Sequence, residues 1–407
     1  MSLPRAPRNV LAKDHSRGES RTLDVSEHSI PCGGASSTCR MSCPLVQSFA
    51  APASGLHMDL TPRRSRTFWR AQLDGDAIPW LLEPEEPGVR YLALRDLMDC
   101  PPDDPELRSA RRRAHREGPI AAILEQMHPE GWWTKPNAGY SPKYRSTDWS
   151  VILLAQLGAT LTEDARIAAA CTYVLEHAFS PGGQFSVFGS PSGTIDCLQG
   201  NLCWALHELG CSDPRLRLAY EWMARSVTGE GVAPSTERNA SRRYLGIKCG
   251  PGFGCAANNR RPCAWGAVKV MMAFSVLPAT ERTPLIDQAI RQGVEFLLAG
   301  DPASASYPTL SGSKPNRSWW KFGFPVFYVT DVLQNVQVLA SLGCGAEPRL
   351  QAAVRLVRDK QDALGRWSLE YDYAGKTWVD FGARKQPSKW VTLRALRALK
   401  TVSQSRP

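Results

Sequence analysis

The chain has no run of about eighteen apolar residues, so no membrane-spanning helix is predicted. Residues 1–30 contain basic side chains but no apolar core segment, which argues against a secretory leader. Nothing matches a Gly-x-Ser-x-Gly nucleophile elbow or a His-Glu-x-x-His metal pair. Gly250–Gly254 is rich in glycine but lacks the Lys-Ser/Thr of a phosphate-binding loop, and Ser311-Gly312-Ser313 reads as a flexible loop. No stretch alternates apolar and polar residues as a half-buried strand does, so an all-α chain is expected.

What is present supports a sizeable core. The sequence is 43% apolar, and its 407 residues suit one large domain or two ordinary ones. Thirteen tryptophans suit turn-packing rings and a lined cavity. Twelve cysteines in so long a chain without a leader read as a thiol or metal pattern rather than a disulfide framework, which points to a reducing, cytoplasmic setting. The net charge is +10, of which residues 1–64 supply +3 (eight Lys/Arg against five Asp/Glu). The dense run Arg111-Arg112-Arg113 reads as a solvated helix face, so no nucleic-acid partner is expected. A diffuse basic surface is compatible with anionic substrates or peripheral membrane contact.

Residues 1–64 are rich in Ser, Arg, Pro and Gly with no sustained apolar period, and read as a disordered extension carrying Cys32, Cys39 and Cys43. Met41 and Met58 are further candidate starts. Residues 65–400 form the folded domain and 401–407 a C-terminal tail. After a lead-in ending at Trp80-Leu81-Leu82, helices are expected at Val89–Met98, Glu106–Arg116 and Ile120–Met127. Five apolar helices follow, at Asp148–Leu157, Cys197–Leu209, Cys263–Val276, Thr330–Leu342 and Ser388–Leu399. Four more polar helices alternate with them, at Asp164–His177, Arg215–Ser226, Pro284–Ala299 and Arg349–Asp362. Pro214 and Pro348 stand where two of these begin, a position that tolerates proline.

A turn recurs along this alternation. Gln361 leads through Gly365 to Trp367, Gln126 leads to Gly131-Trp132-Trp133, and Gly182-Gly183-Gln184-Phe185 repeats the turn with phenylalanine. An apolar helix follows and closes on a pair such as Leu157-Gly158, Leu209-Gly210 or Leu277-Pro278; Leu342-Gly343 closes the apolar helix before the Gln361–Trp367 turn. Self-similarity at roughly 50–65 residues marks stacked helix pairs, which bury their apolar faces only by closing on each other. The Gln-x-x-x-Gly-x-Trp pattern resembles the QW motif of the terpenoid cyclase and protein prenyltransferase superfamily, over roughly residues 85–400. The resemblance implies an α/α toroid, an inner ring of helices inside an outer one, with any site in the central cavity and a hydrophobic, isoprenoid-like small molecule as ligand.

In such a toroid the starts of the inner helices share one mouth. They are Ser146-Thr147-Asp148, Asp196-Cys197, Cys263, Thr330-Asp331 and Pro387-Ser388-Lys389. Asp148, Asp196 and Asp331 are either N-caps or the acids of a catalytic site. Cysteine is a poor cap, and Cys249 and Cys255 lie in the loop before Cys263. Cys197, Cys249, Cys255 and Cys263 are therefore a candidate zinc site, with Cys203 and Cys211 as second choices; the alternative is four unliganded thiols. The helix dipole is expected to lower the thiol pKa values at these helix starts. Tyr144, Trp149, Trp265, Trp320 and Tyr328 are candidate cavity-lining residues, with Trp319, Phe322 and Phe324 nearby. Insertions at Gly229–Pro262 and Ala299–Phe324 are expected to cap one end of the cavity.

The resemblance also bears on the chemistry. Prenyltransferase β subunits hold a catalytic zinc on an Asp, a Cys and a His at the mouth and work with a partner α subunit. Asp196 and Cys197 occupy a comparable place, but Trp390 and Val391 stand where the histidine would be sought. The Asp-x-Asp-Asp of squalene- and diterpene-cyclase-like enzymes is absent, and Pro102-Asp103-Asp104 lacks its first Asp. Two other readings stay open: a non-catalytic, zinc-stabilised repeat scaffold, and a carbohydrate-active (α/α)-barrel with Asp148 and Asp331 as carboxylates about 5–10 Å apart.

Overall fold

A computed structural model describes residues 69–232, 249–309 and 316–405, and every statement below concerns these. The expectations for residues 1–64, including Cys32, Cys39 and Cys43, and for Ser311–Ser313 lie outside them.

The helices run in chain order α1 (Ile78–Leu81), α2 (Pro87–Asp96), α3 (Pro105–Arg116), α4 (Pro119–Glu125), α5 (Thr147–Gln156), α6 (Ala165–His177), α7 (Asp196–Glu208) and α8 (Arg215–Thr228). A two-residue hairpin, β1 (Cys249–Gly250) and β2 (Gly254–Cys255), precedes α9 (Ala264–Val276). Then come α10 (Pro284–Leu298), α11 (Val332–Leu339), α12 (Gln351–Asp359) and α13 (Lys389–Gln404). The last helix runs past residue 400, where the domain was expected to end.

The elements close into an α/α toroid. α5 packs on α7, α7 on α9, α9 on α11, α11 on α13 and α13 on α2. The ring shuts where Gly158, just after α5, meets Tyr91 and Leu92 of α2. α2 is thus a sixth inner helix; the sequence reading expected a helix at Val89–Met98 but did not count it among the inner ones. Outside, α3 lies on α2, α4 and α6 on α5, α8 on α7, α10 on α9 and α12 on α11. Composition explains the two layers. In α5 every residue from Thr147 to Ala155 is buried, so the helix has no solvent face, as an inner position demands. α3 is charged along its length and buries only Leu107, Ala110, Ala114 and His115, as an outer helix does.

Local signals set the ends. Proline opens α2, α3, α4 and α10 in the first turn, where its missing N–H costs nothing. Asp104 caps α3 through the amides of Glu106 and Leu107, and Ser388 caps α13. In the recurrent turns, Gly131 and Gly365 adopt φ of +92° and +78°, a conformation that L side chains rarely take, and this aims Trp133 and Trp367 inward. The two rings are wholly buried.

A segment crosses the ring that the sequence reading left at the end of the second insertion and in the gap before the helix at Thr330. Gly323 accepts a hydrogen bond from Arg394 of α13 at 2.6 Å, and Phe324 stacks on Trp390 with centroids 4.6 Å apart. Val326 exchanges two hydrogen bonds of 2.8 Å with the Gln156 side chain of α5. The Phe327 carbonyl accepts from Asn201 of α7, and Tyr328 packs near Trp265 of α9. These residues divide the toroid axis into a mouth chamber at the inner-helix starts and a far chamber at their ends.

Candidate functional site

The mouth chamber has a volume of about 860 Å³. Its wall comes from the starts of two inner helices (Asp196, Cys197, Ala264, Trp265, Gly266), residues just before two others (Tyr140, Lys143, Tyr328) and the two insertions (Cys255–Asn258, Tyr307–Thr309, Trp319). The insertions thus cover this end, as their length suggested. Aromatic rings and aliphatic groups dominate, and Lys143 is the one lysine or arginine among the described lining residues. Its ammonium lies 4.8 Å from the Tyr328 ring centroid and 5.8 Å from that of Tyr140.

The cysteines collect on one rim. α7 and α9 are held close by Gly200, where a Cβ would lie 2.4 Å from the Lys269 carbonyl, so Cys197 and Cys263 open neighbouring parallel helices. In the hairpin Cys249 lies directly opposite Cys255. The Cys263 amide donates to the Phe253 carbonyl at 2.9 Å, which pins the hairpin to the start of α9. Side-chain hydrogen bonds join Cys255 to Cys263 and Cys249 to Asp196. Asp196 also accepts from Ser226 of α8 at 3.4 Å. No group of three or more His, Cys, Asp or Glu side chains among the described residues is drawn together tightly enough to hold an ion as it stands. All nine cysteines within the described residues are free thiols.

Burial outweighs the helix dipole here, contrary to the expectation for helix starts. Desolvation, then the neighbouring Cys255 and Asp196, push Cys197 up to about 12. Burial raises Cys249, and the hydrogen bond to Cys255 raises Cys263. Cys255 alone of the four is lowered, to about 6, because it takes a hydrogen bond from the Cys263 thiol. Burial, reinforced by Cys255, lifts Asp196 to about 7.

The other candidates separate. Asp148 lies behind the chamber wall, completely buried, and neither oxygen has a partner among the described residues. Burial raises its pKa well above the carboxylate range. Asp331 caps α11 through the Gln334 amide at 2.8 Å and holds the Arg394 guanidinium at 2.9 and 3.0 Å, so its carboxylate is fully engaged. Trp265 and Tyr328 line the chamber. Tyr144 stands behind Tyr328, hydroxyl to hydroxyl at 3.3 Å, and Trp149 is buried with its indole N–H on the Tyr140 carbonyl at 2.7 Å. Trp320 instead donates to the Ala303 carbonyl at 2.7 Å, outside the lining set. Cys203 is buried within α7, and Cys211 pairs with Cys171 of α6.

Trp319, expected near the mouth, lines the chamber, whereas Tyr140, Lys143 and Tyr307 were missed as lining residues. A positional signal existed for the first two, since Tyr140 and Lys143 precede α5 much as Tyr328 precedes α11.

No family model and no curated protein matches the chain. Among solved structures it is similar to an unsaturated glucuronyl hydrolase from Bacillus sp. GL1, at 14% identity over 77% of this chain and 83% of that one, with a TM-score of 0.43. It is also similar to the type II terpene cyclase MstE from Scytonema, at 12% identity over 73% of this chain and 99% of that one, with a TM-score of 0.32. A protein from Actinoplanes matches at 14% identity over 72% and 99%, with a TM-score of 0.29. The toroid rests on the chain's own helix packing, and the chemistry of the mouth is read from its own residues.

Proposed function

We propose that the protein binds and transforms a hydrophobic, isoprenoid-like small molecule in the mouth chamber, with a zinc ion held by Cys197, Cys249, Cys255 and Cys263 on its rim. The observation that carries this reading is one aromatic-lined cavity of about 860 Å³ with thiols on one side and Lys143 the one lysine among its described lining residues. Pockets of this size and apolar character suit drug-sized ligands. The donor set fits zinc, which takes four thiolates in structural sites and fewer, with an open position, in catalytic ones. Taking up the ion requires the four sulfurs to draw together.

Each residue has a definable task. The faces of Tyr140, Trp265 and Tyr328 pack along an apolar chain and favour positive charge that develops on it. Lys143 meets an anionic end group such as a diphosphate. Asp196 receives hydrogen bonds from Ser226 and Cys249 and orients that thiol. Zinc, when bound with an open position, supplies a Lewis acid and an activated nucleophile.

Two measurements on the purified chain test this. Metal analysis is expected to find one zinc per chain, with less in Cys263→Ser and in the Cys197/Cys263 double serine variant. Equal zinc in the double variant and the parent overturns the metal site. Native mass spectrometry with farnesyl diphosphate, geranylgeranyl diphosphate and squalene is expected to show a complex that Trp265→Ala weakens, followed by a product on incubation. No complex and no product across that panel overturns the ligand class.

A further inference from the structure

At the opposite end of the toroid, beyond the crossing segment, lies the far chamber of about 430 Å³. Its lining differs in kind from that of the mouth. Gln156, Asn201, Gln334, Gln337 and Gln404 contribute five amide side chains. Arg95, Arg394, Arg397 and Lys400 face Asp96, Asp99 and Glu208.

Except for Glu208, the charges there are already committed to one another. Arg95 and Arg397 both pair with Asp96, Lys400 with Asp99 at 2.5 Å, and Arg394 with Asp331. Lys400 also donates to the Asp96 carbonyl at 2.8 Å, at the end of α2, where the helix dipole favours a cation. The four lining cations are set against Asp96, Asp99 and Glu208 and, behind Arg394, Asp331, so little unopposed charge faces the chamber. A net charge on a ligand gains little there.

Hydrogen-bonding capacity is what remains open. Asn201 is 1% exposed; its amide N–H donates to the Phe327 carbonyl at 3.3 Å, while its Oδ1 has no partner among the described residues. A buried acceptor left unpaired is unfavourable, and a bound donor relieves it. Arg397 Nε is likewise buried without a hydrogen-bond acceptor among the described residues. Glu208 forms no ion pair within 4.0 Å among the described residues, although the Arg95 and Arg397 charges act on it. Free acceptors and a free donor thus share one cavity, and Trp204 and Met272 give it an apolar patch. Hydroxyl groups, which both donate and accept, are the complement of such a lining, and the C–H face of a sugar suits the indole.

We infer that the far chamber is a second ligand site, selective for a neutral, polyhydroxylated molecule of sugar size. Asn201 and Arg397 supply its buried hydrogen bonds, Glu208 a further acceptor, and Trp204 a stacking surface. This is independent of the reading of the mouth, because the crossing segment separates the two chambers.

Saturation-transfer NMR on the full chain tests it, with D-glucose, myo-inositol and trehalose as neutral probes and glucose 6-phosphate and inorganic phosphate as anionic ones. At least one neutral probe is expected to receive saturation. Trp204→Ala and the milder Glu208→Gln are each expected to weaken its binding at least tenfold, while Trp265→Ala at the mouth leaves it unchanged. Glu208→Gln keeps the test informative where Trp204→Ala fails to fold. No transfer to any neutral probe, transfer to the phosphorylated probes alone, or neutral binding that Glu208→Gln leaves intact would each overturn the assignment.

Discussion

Trp133 and Trp367 stand in the same relation to their own repeats. Each indole N–H donates to the carbonyl ten residues earlier, Ile123 at 2.8 Å and Val357 at 2.7 Å. Each backbone N–H donates to a threonine hydroxyl of the next inner helix, Thr147 at 3.2 Å and Thr392 at 2.9 Å. The Phe185 amide does the same to Gln199 at 2.6 Å. One buried ring therefore ties an outer helix end to the following inner helix. Trp133→Ala and Trp367→Ala are each expected to cost about 3–5 kcal/mol in chemical denaturation, the range for a buried aromatic lost from a core. A loss below about 1 kcal/mol in either would show that the ring is not a structural tie.

Asp148 gives a pH dependence of definite sign. Its folded pKa is raised by burial above the ordinary 3.8, so the folded chain keeps a proton that the unfolded chain releases. Stability then falls as pH rises above about 4, by up to about 1.4 kcal/mol per pH unit until the folded carboxyl ionises. Asp148→Asn removes that dependence. Parent and variant are expected to unfold alike near pH 4, with the variant increasingly the more stable toward pH 7. A stability difference independent of pH would show that the carboxyl is not held neutral.

Asp331 and Arg394 form a buried pair, 5% and 9% exposed, that joins α11 to α13 and holds the crossing segment through the Gly323 carbonyl. Removing one partner leaves the other charge buried and unpaired. Arg394→Met and Asp331→Asn are each expected to destabilise by about 3–5 kcal/mol, and the double variant by clearly less than their sum. Additive losses in thermal or urea unfolding would mean that the two groups do not depend on each other.

Cys211 is expected to be a reactive thiol. A hydrogen bond from Cys171 lowers its pKa to about 7, against an ordinary 9.0, so much of it is thiolate at neutral pH. Iodoacetamide labelling followed by peptide mass spectrometry should give a rate midpoint near pH 7 at Cys211, and Cys171→Ala should move that midpoint upward. An unchanged midpoint in the variant would remove Cys171 as the cause.

The sequence by itself determined the alternation of apolar and polar helices, most of their ends within two residues, and the gathering of Cys197, Cys249, Cys255 and Cys263 at one rim. These follow from signals local to the chain: helical period, caps, proline and glycine turns, and the parallel direction that a repeat imposes on its inner helices. Tertiary structure decided the rest. The segment that crosses the ring has no period of its own, because its backbone groups are satisfied by Gln156, Asn201 and Arg394 from three distant helices. Asp148 and Asp331 look alike as helix-start acids, yet one is isolated and the other paired, because only folding places Arg394 beside Asp331. The thiols, expected to be acidic at helix starts, are mostly not, because the hydrogen bond to Cys255 raises Cys263 and burial, which depends on what the whole ring packs around them, raises Cys197 and Cys249. Local physics sets which elements form; burial and long-range partners set what each polar group in them can do.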